Sequence, residues 1–474
     1  MRLLLLCLTS LFFMQLQAQE TWSLKQCVEY AMENNLSIKQ SDLRAQIAHH
    51  NQTQAKLNLL PTLNGSATHG YNWGQTIDPF TNQFATTRVR TNSLGVQSQL
   101  TLFNGFQRIN QIKKSNYDFM ASVADADRVK NDVALNIANA YVSVLFAQDL
   151  LEIAENQLEI SRLQRERVSQ LVITGNLPKS NRLDAEAQEA LDEATLVQRE
   201  NDLQLAYLSL YQILQLDPSQ SILVEEPEML EVSSSFLTEK PSGIYEMAVE
   251  DLPQIKAAKY RVKSAEKNLD IAQGGTLPRL TASGSYGSGY SGNNRILRDG
   301  AVPDDSSQVS LGFVQGQEIV LSQPQFGDED FKTKEFGDQL TDNLNQSLSF
   351  SLVVPLFNGY SSRTAVKQAK LNAAISNYDL QLAKNTLKQD IQRAYADAKA
   401  ALKSFEAAKK SKAAAEEAFK YADIRYTQNL INQVEYSDAK VRLANAQLEQ
   451  SRSKYDFIFK VKVLEFYKGQ NISF

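Results

Sequence analysis

The chain has 474 residues, 22% of them charged, with Lys+Arg 49 against Asp+Glu 54. That balance provides no strong basic field and argues against nucleic acid as a partner. The length would suit two or three ordinary domains, yet only 20 Gly and 11 Pro punctuate it, and unevenly.

Residues 1–18 read as an export signal: Arg2, an apolar run Leu3–Met14 holding only Thr9 and Ser10, then QLQAQE with Ala18 as the last residue before cleavage. A lipoprotein reading through Cys7 fits less well, because Leu6 precedes it where a small residue is wanted. Removing the signal leaves Cys27 alone, so no internal disulfide can staple the mature chain. No later segment offers the roughly 18 apolar residues of a spanning helix, so entry into a membrane would have to be by β-strands.

A helix over Leu24–Leu59 leads through Pro61 into a segment of period two, Thr62–Trp73. There Leu63, Ala67, Tyr71 and Trp73 alternate with Thr62, Asn64, Ser66 and Thr68, as in a strand. After a short loop, Gly74–Arg90, a second strand alternates Leu94, Val96, Leu100 and Leu102 with Ser93, Gly95, Gln97, Gln99 and Thr101. It ends in the phrase LFNG at Leu102–Gly105. No Gly or Pro then occurs from Gln107 to Thr174, and apolar residues at Val133, Ile137, Ala140 and Val144 mark one buried stripe of a helix. Gln107 to Ile173 would extend about 100 Å at 1.5 Å per residue. So thin a stripe cannot hold a lone helix rigid, and it must pack against other long helices. TGNLPKSN makes a turn in which Gly175 ends one helix and Ser180 or Asn181 caps the next, returning over Ser180–Leu216.

Residues 217–243 have the turn chemistry of a connector with one small strand. The series then repeats. A helix over Ile244–Ala272 enters a strand through Pro278, with Leu280, Ala282, Tyr286 and Tyr290 opposite Thr281, Ser283 and Ser285. The long segment Tyr290–Asp342 would be an external loop that shields the mouth, binds a surface partner or is mostly disordered. A last strand sets Leu344, Leu348, Phe350, Leu352 and Val354 against Asn345, Ser347, Ser349 and Ser351. LFNG recurs at Leu356–Gly359, and Tyr360–Lys468 again lacks Gly and Pro. Its turn, RYTQNLINQVEYSD, has no Gly, leaving Asn429 or Asn432 to take the left-handed conformation.

An offset of 254 maps Leu102–Gly105 onto Leu356–Gly359, Ile137 onto Ile391 and Asp184-Ala185 onto Asp438-Ala439; upstream, 217 carries Ile38 to Ile255 and Leu60-Pro61 to Leu277-Pro278. Each half, 19–216 and 244–474, is therefore one helix–strand–strand–helix repeat. The four strands suit either a soluble sandwich or a tilted membrane sheet. In lipid, four strands leave two forbidden edges, which further copies of the chain would have to close; two copies give 8 strands and three give 12.

Chemistry of other kinds finds little support. His49 and His50 diverge on a helix and His69 is remote, so no metal site is expected. GSYGSGYSG from Gly284 lacks the helix a phosphate loop requires. No catalytic pairing stands out, and neither a cofactor nor an enzymatic role is expected.

The signal, the duplicated repeats, the LFNG phrases and the paired long hairpins together resemble the TolC family of outer-membrane efflux proteins over essentially the whole mature chain. The resemblance implies a mainly α fold with a β-barrel portion, closed as a homotrimer of 12 strands in the outer membrane of a Gram-negative bacterium. It also implies a helical tunnel across the periplasm and a passive duct served by a periplasmic adaptor and an inner-membrane pump. In that family LFNG marks the passage from strand to helix, here Asn104-Gly105 and Asn358-Gly359. It implies closure at the tip by Glu435 and Asp438, with Tyr426 before the turn. The first-hairpin acid position holds Asn181, with Asp184 one turn later, and a basic latch position falls on Ile431. The hairpin turns, at Gly175-Asn176 and at Asn429 and Asn432, would meet the adaptor, although TQNLIN replaces the usual Gly-containing turn. The alternative is a soluble periplasmic coiled-coil scaffold or adaptor whose strands form a small closed domain.

Overall fold

A computed structural model describes residues 21–85, 88–217, 222–226, 239–428 and 430–469; the export signal, much of the connector and Asn429 lie outside them. The chain forms two compact units. One takes the described residues up to Gln52, Lys114–Glu266 and those from Leu371 onward; the other takes Thr53–Lys113 and Lys267–Lys370.

The first unit is helical. Helices α1 (Leu24–Asn34) and α2 (Leu36–Leu57) replace the single helix expected over Leu24–Leu59. Asn35 breaks it with an extended backbone, φ −64° and ψ 127°. Its side chain holds the break by donating to the Ile213 carbonyl at 2.8 Å and accepting from the Ser37 amide at 2.8 Å. The second repeat breaks at the equivalent place, between α5 (Pro241–Asp251) and α6 (Pro253–Gly274). There Leu252 is extended because Pro253 follows it.

The long helices are α3 (Gln107–Ile173) and α4 (Lys179–Leu214) in the first repeat, and α8 (Ser361–Thr427) and α9 (Gln433–Tyr467) in the second. The first repeat's core joins Cys27, Ile38, Ile137, Val144, Leu210 and Leu214. The second joins Ile244, Ile255, Leu387, Ile391, Ala398 and Leu464. Ile137 and Ile391 occupy matching positions, as do Ile38 and Ile255, and Leu210 and Leu464; all are buried. Each such side chain stabilises the packing by about 1.5–3 kcal/mol. By length and composition α3 is apolar enough to cross a membrane, contrary to the expectation that no such segment exists. Its Ile137, Tyr141, Val144 and Leu145 are buried in the core, which accounts for them without lipid.

The connector contributes Leu223–Val224, paired in parallel with Thr21–Trp22. The Tyr141 hydroxyl donates to the Glu225 carbonyl at 2.6 Å and so fastens this strand to α3.

The second unit is built on four strands: β1 (Thr62–Asn72), β2 (Val89–Asn104), β3 (Arg279–Ser291) and β4 (Asn345–Val353). They form one antiparallel sheet in the order β4-β3-β2-β1, so β1 and β4 are its edges. Most apolar residues of the four strands fall on one face, since Ala67 opposes Leu94, Val96 opposes Tyr286 and Phe350 opposes Ala282. Most of that face is bare, with Leu63 and Leu348 each 73% exposed and Phe350 64%, and only its outer end is covered, where Tyr290 is buried against Phe336 of the segment that precedes β4. The other face is lined mainly by Ser, Thr, Asn, Gln and Gly, with Arg279, Val353 and Val89 at its ends and hydroxyl pairs Ser283–Ser349 at 2.8 Å and Ser285–Ser347 at 2.7 Å.

The segment between β3 and β4 is ordered. It holds the ribbon Arg295–Leu297 with Phe331–Thr333, the hairpin Asp305–Val314 with Gln317–Gln325, and helix α7 (Phe336–Asp342).

Candidate functional site

The sequence-derived positions fall into three places: the strand-to-helix junctions, the hairpin turns and the first turns of the returning helices. At the first junction Leu102 is bulged out of the β2–β3 ladder, and strand geometry continues to Asn104. At the second, β4 stops at Val353, so Leu356 and Phe357 lie beyond it and are 93% and 86% exposed. Both junctions then turn through two successive left-handed residues: Gly105 and Phe106 (φ 63° and 62°), and Gly359 and Tyr360 (φ 62° and 69°). An aromatic in that conformation is unusual, and the sequence reading credited only the Asn-Gly step. The Asn104 side chain accepts from the Arg108 amide at 3.4 Å, while Asn358 donates to the Ser362 hydroxyl at 2.5 Å. Gly105 is required for space as well, because a Cβ there would overlap the Gly274 carbonyl.

Gly175 ends α3 with φ 81°, as expected. Its amide donates to the Val172 carbonyl at 3.1 Å and the Asn176 amide to that of Leu171 at 2.9 Å. Neither Ser180 nor Asn181 caps α4, whose first residue is Lys179 after Pro178, with no side-chain bond at that cap. Pro178 is itself the N-cap residue, with an extended backbone at φ −72° and ψ 155°. Asn432 is not left-handed: at φ −86° it is the N-cap of α9, and its side chain accepts from the Glu435 amide at 2.9 Å. Asn429 lies outside the described residues.

Glu435 stands in the first turn of α9, where the positive end of the helix favours a carboxylate. Asp438, one turn on, pairs with Arg442 at 2.8 Å, both exposed. Asp184 is exposed on α4. Among the described residues no hydrogen bond or ion pair joins Glu435 or Asp438 to Asn181 or Asp184. Tyr426 is better fixed: its hydroxyl donates to Gln433 and its ring stacks on Tyr436 with centroids 4.6 Å apart. Burial pushes the Tyr436 phenol well above its usual range, so it stays neutral.

Two links that the sequence reading missed tie the first hairpin to the second. Arg167 of α3 donates to the Thr427 carbonyl at 2.8 Å, at the last residue of α8. Deeper in, Lys440 of α9 is buried with its ammonium 2.6 Å from Asp192, 2.6 Å from the Ser161 hydroxyl and 3.0 Å from the Gln157 carbonyl. Asp192 also accepts from Ser161 at 2.5 Å and from Gln188 at 3.0 Å. The available signal was a charge within an apolar stripe: Lys440 falls between Tyr436 and Leu443, both buried. Cys27 lies in the core, and burial raises its thiol to about 12, which makes it a poor nucleophile. Among the described residues no group of His, Cys, Asp and Glu is placed to hold a metal.

The family model for outer membrane efflux proteins matches residues 28–215 and 244–465. The chain belongs to this family. Within it, the outer membrane protein TolC of Vibrio cholerae is 24% identical over 441 residues, 93% of this chain and 89% of that one. Outer membrane protein TolC of Escherichia coli is 25% identical over 330 residues, which span 68% of this chain and 58% of its own length. Among solved structures, the Campylobacter jejuni CmeC outer membrane channel superposes with a TM-score of 0.72 at 14% identity, over 97% of this chain and 92% of that one. As a member of the outer membrane efflux family the chain is an outer-membrane efflux channel, and its relatives are channels rather than enzymes.

Proposed function

We propose that three copies of this chain close their sheets into one 12-stranded barrel in outer-membrane lipid, and that their hairpins form a duct through the periplasm. An adaptor meets the hairpin turns, an inner-membrane pump supplies the energy, and Glu435 and Asp438 ring the narrow tip with negative charge. The chain is read as two repeats, 19–216 and 244–474, joined by the connector 217–243.

One observation carries this reading: a sheet with a mostly bare apolar face, a polar face charged only at Arg279 among the described residues, and two unpaired edges whose registers are complementary. Thr62 pairs with Gln99, and their counterparts at offsets of 217 and 254, Arg279 and Val353, are also partners. The two hairpins thus share one register at these offsets. Gly95 pairs with Gly287 across the two repeats. The same offsets set Ser349 on the β4 edge opposite Gly70 on the β1 edge of the next copy, polar face to polar face. A ladder built this way satisfies every edge amide and carbonyl, as lipid requires. The soluble scaffold is disfavoured, because it would need a cover for the apolar face.

The test is a chain carrying Ser349→Cys and Gly70→Cys, against a control with Ser349→Cys and His69→Cys, which places the thiols on opposite faces. Oxidation should yield covalent trimers on a denaturing gel for the first pair only. Monomers throughout, or equal linking of both pairs, would refute the assembly.

A further inference from the structure

We infer that the loop Gly74–Ala85 forms a constriction inside the outer mouth of the barrel, with Phe80 as the residue that narrows it and so sorts solutes by size. This rests on the barrel reading above and adds a second narrow point, distinct from the tip.

The side of the sheet on which Phe80 lies is decided by Gly289. Along β3, Gly289 shares a face with Ser283, Ser285 and Ser291, the polar face. A Cβ built on Gly289 would fall within the Phe80 ring, so the ring rests on that face and not on the apolar one. Beneath it runs a groove lined by Ser93, Gly95, Gln97, Ser285 and Gly287. The sheet is bare where the ring sits, and a side chain at Gly289 would exclude it.

The loop is built to hold this position. Asp78 is fully buried, where an unpaired carboxylate would be strongly disfavoured. It is satisfied instead: one oxygen accepts from the amides of Phe80 at 2.9 Å and Thr81 at 3.3 Å, and the other from the Ser291 hydroxyl on the polar face. The Asp78 amide donates to the Gln83 carbonyl at 3.0 Å, and Thr76–Ile77 pairs with Phe84–Ala85 to close the loop's base. Phe80 is thus a half-buried aromatic on a wall made mostly of small polar groups. Repeated around the barrel, the rings narrow one level of the lumen, and Ser285 lies four residue pairs further in than Gly289, past the ring.

The experiment uses intact cells and membrane-impermeant maleimides of two sizes, with Ser285→Cys as the target; Cys27 is buried and contributes little background. The small reagent should label Ser285→Cys equally with and without Phe80→Ala. The bulky reagent should label it several-fold faster with Phe80→Ala, and likewise with Gly289→Val, which displaces the ring while keeping it in the chain. Equal rates with the bulky reagent in all three backgrounds would overturn the constriction and leave the barrel intact. Labelling of Tyr286→Cys by the small reagent in place of Ser285→Cys would show that the polar face is not the lumen, and would overturn the barrel reading together with the constriction.

Discussion

Lys440→Met should loosen the two hairpins from each other while preserving the side chain's length and apolar stem. Lys440 and Asp192 have side chains only 7% and 16% exposed, and the ammonium spends its three donors on Asp192, Ser161 and Gln157. Removing one partner of a buried pair costs about 3–5 kcal/mol, because the other charge is left in a poor solvent. Here Asp192 keeps Ser161 and Gln188 as donors, which places the loss near the lower end, at about 3 kcal/mol. At about 1.4 kcal/mol per tenfold, that is roughly a hundredfold in the equilibrium for separating α9 from α3 and α4. Asp192→Leu together with Lys440→Met removes both charges and should recover most of the loss. Urea melts of the purified protein followed by circular dichroism, arranged as a double-mutant cycle, measure this directly. A single variant costing under about 1 kcal/mol, or a double variant as unstable as the sum of the singles, would refute the argument that burial makes this pair matter.

Gly105→Ala and Gly359→Ala should differ although both residues have φ near 62°. The first adds overlap with the Gly274 carbonyl and a Leu277 contact of 2.9 Å, whereas a Cβ at Gly359 meets nothing within 4 Å. Thermal melts should therefore show a loss of about 1–2 kcal/mol for Gly359→Ala and a clearly larger one for Gly105→Ala; equal losses would rule out the packing role of Gly105. Replacing Glu435 and Asp438 together by Ser should raise single-channel conductance in planar bilayers and weaken block by multivalent cations, and unchanged conductance would remove them from the tip constriction.

The amino-acid sequence by itself determined the elements and their order, because the signals involved are local. A run free of Gly and Pro from Gln107 to Thr174 has little choice but helix, and strict alternation from Thr62 has little choice but strand. The duplication was equally legible, since LFNG and the offsets of 217 and 254 are properties of the string. Breaks at Asn35 and Leu252 were less so: an Asn side chain reaching the distant Ile213 carbonyl is a tertiary event, although Pro253 gave a local hint.

Tertiary structure alone decided which polar residues meet. Lys440 lies 248 positions from Asp192 and 279 from Ser161, and no local pattern reports that three helices bring them within hydrogen-bond distance. The same holds for Phe80 on Gly289 and for Asp78 with Ser291, 213 positions apart. Periodicity says which face a residue takes, because that is set by the dihedral angles of its own segment. What lies against that face is set by chain segments whose separation along the sequence carries no information about their distance in space.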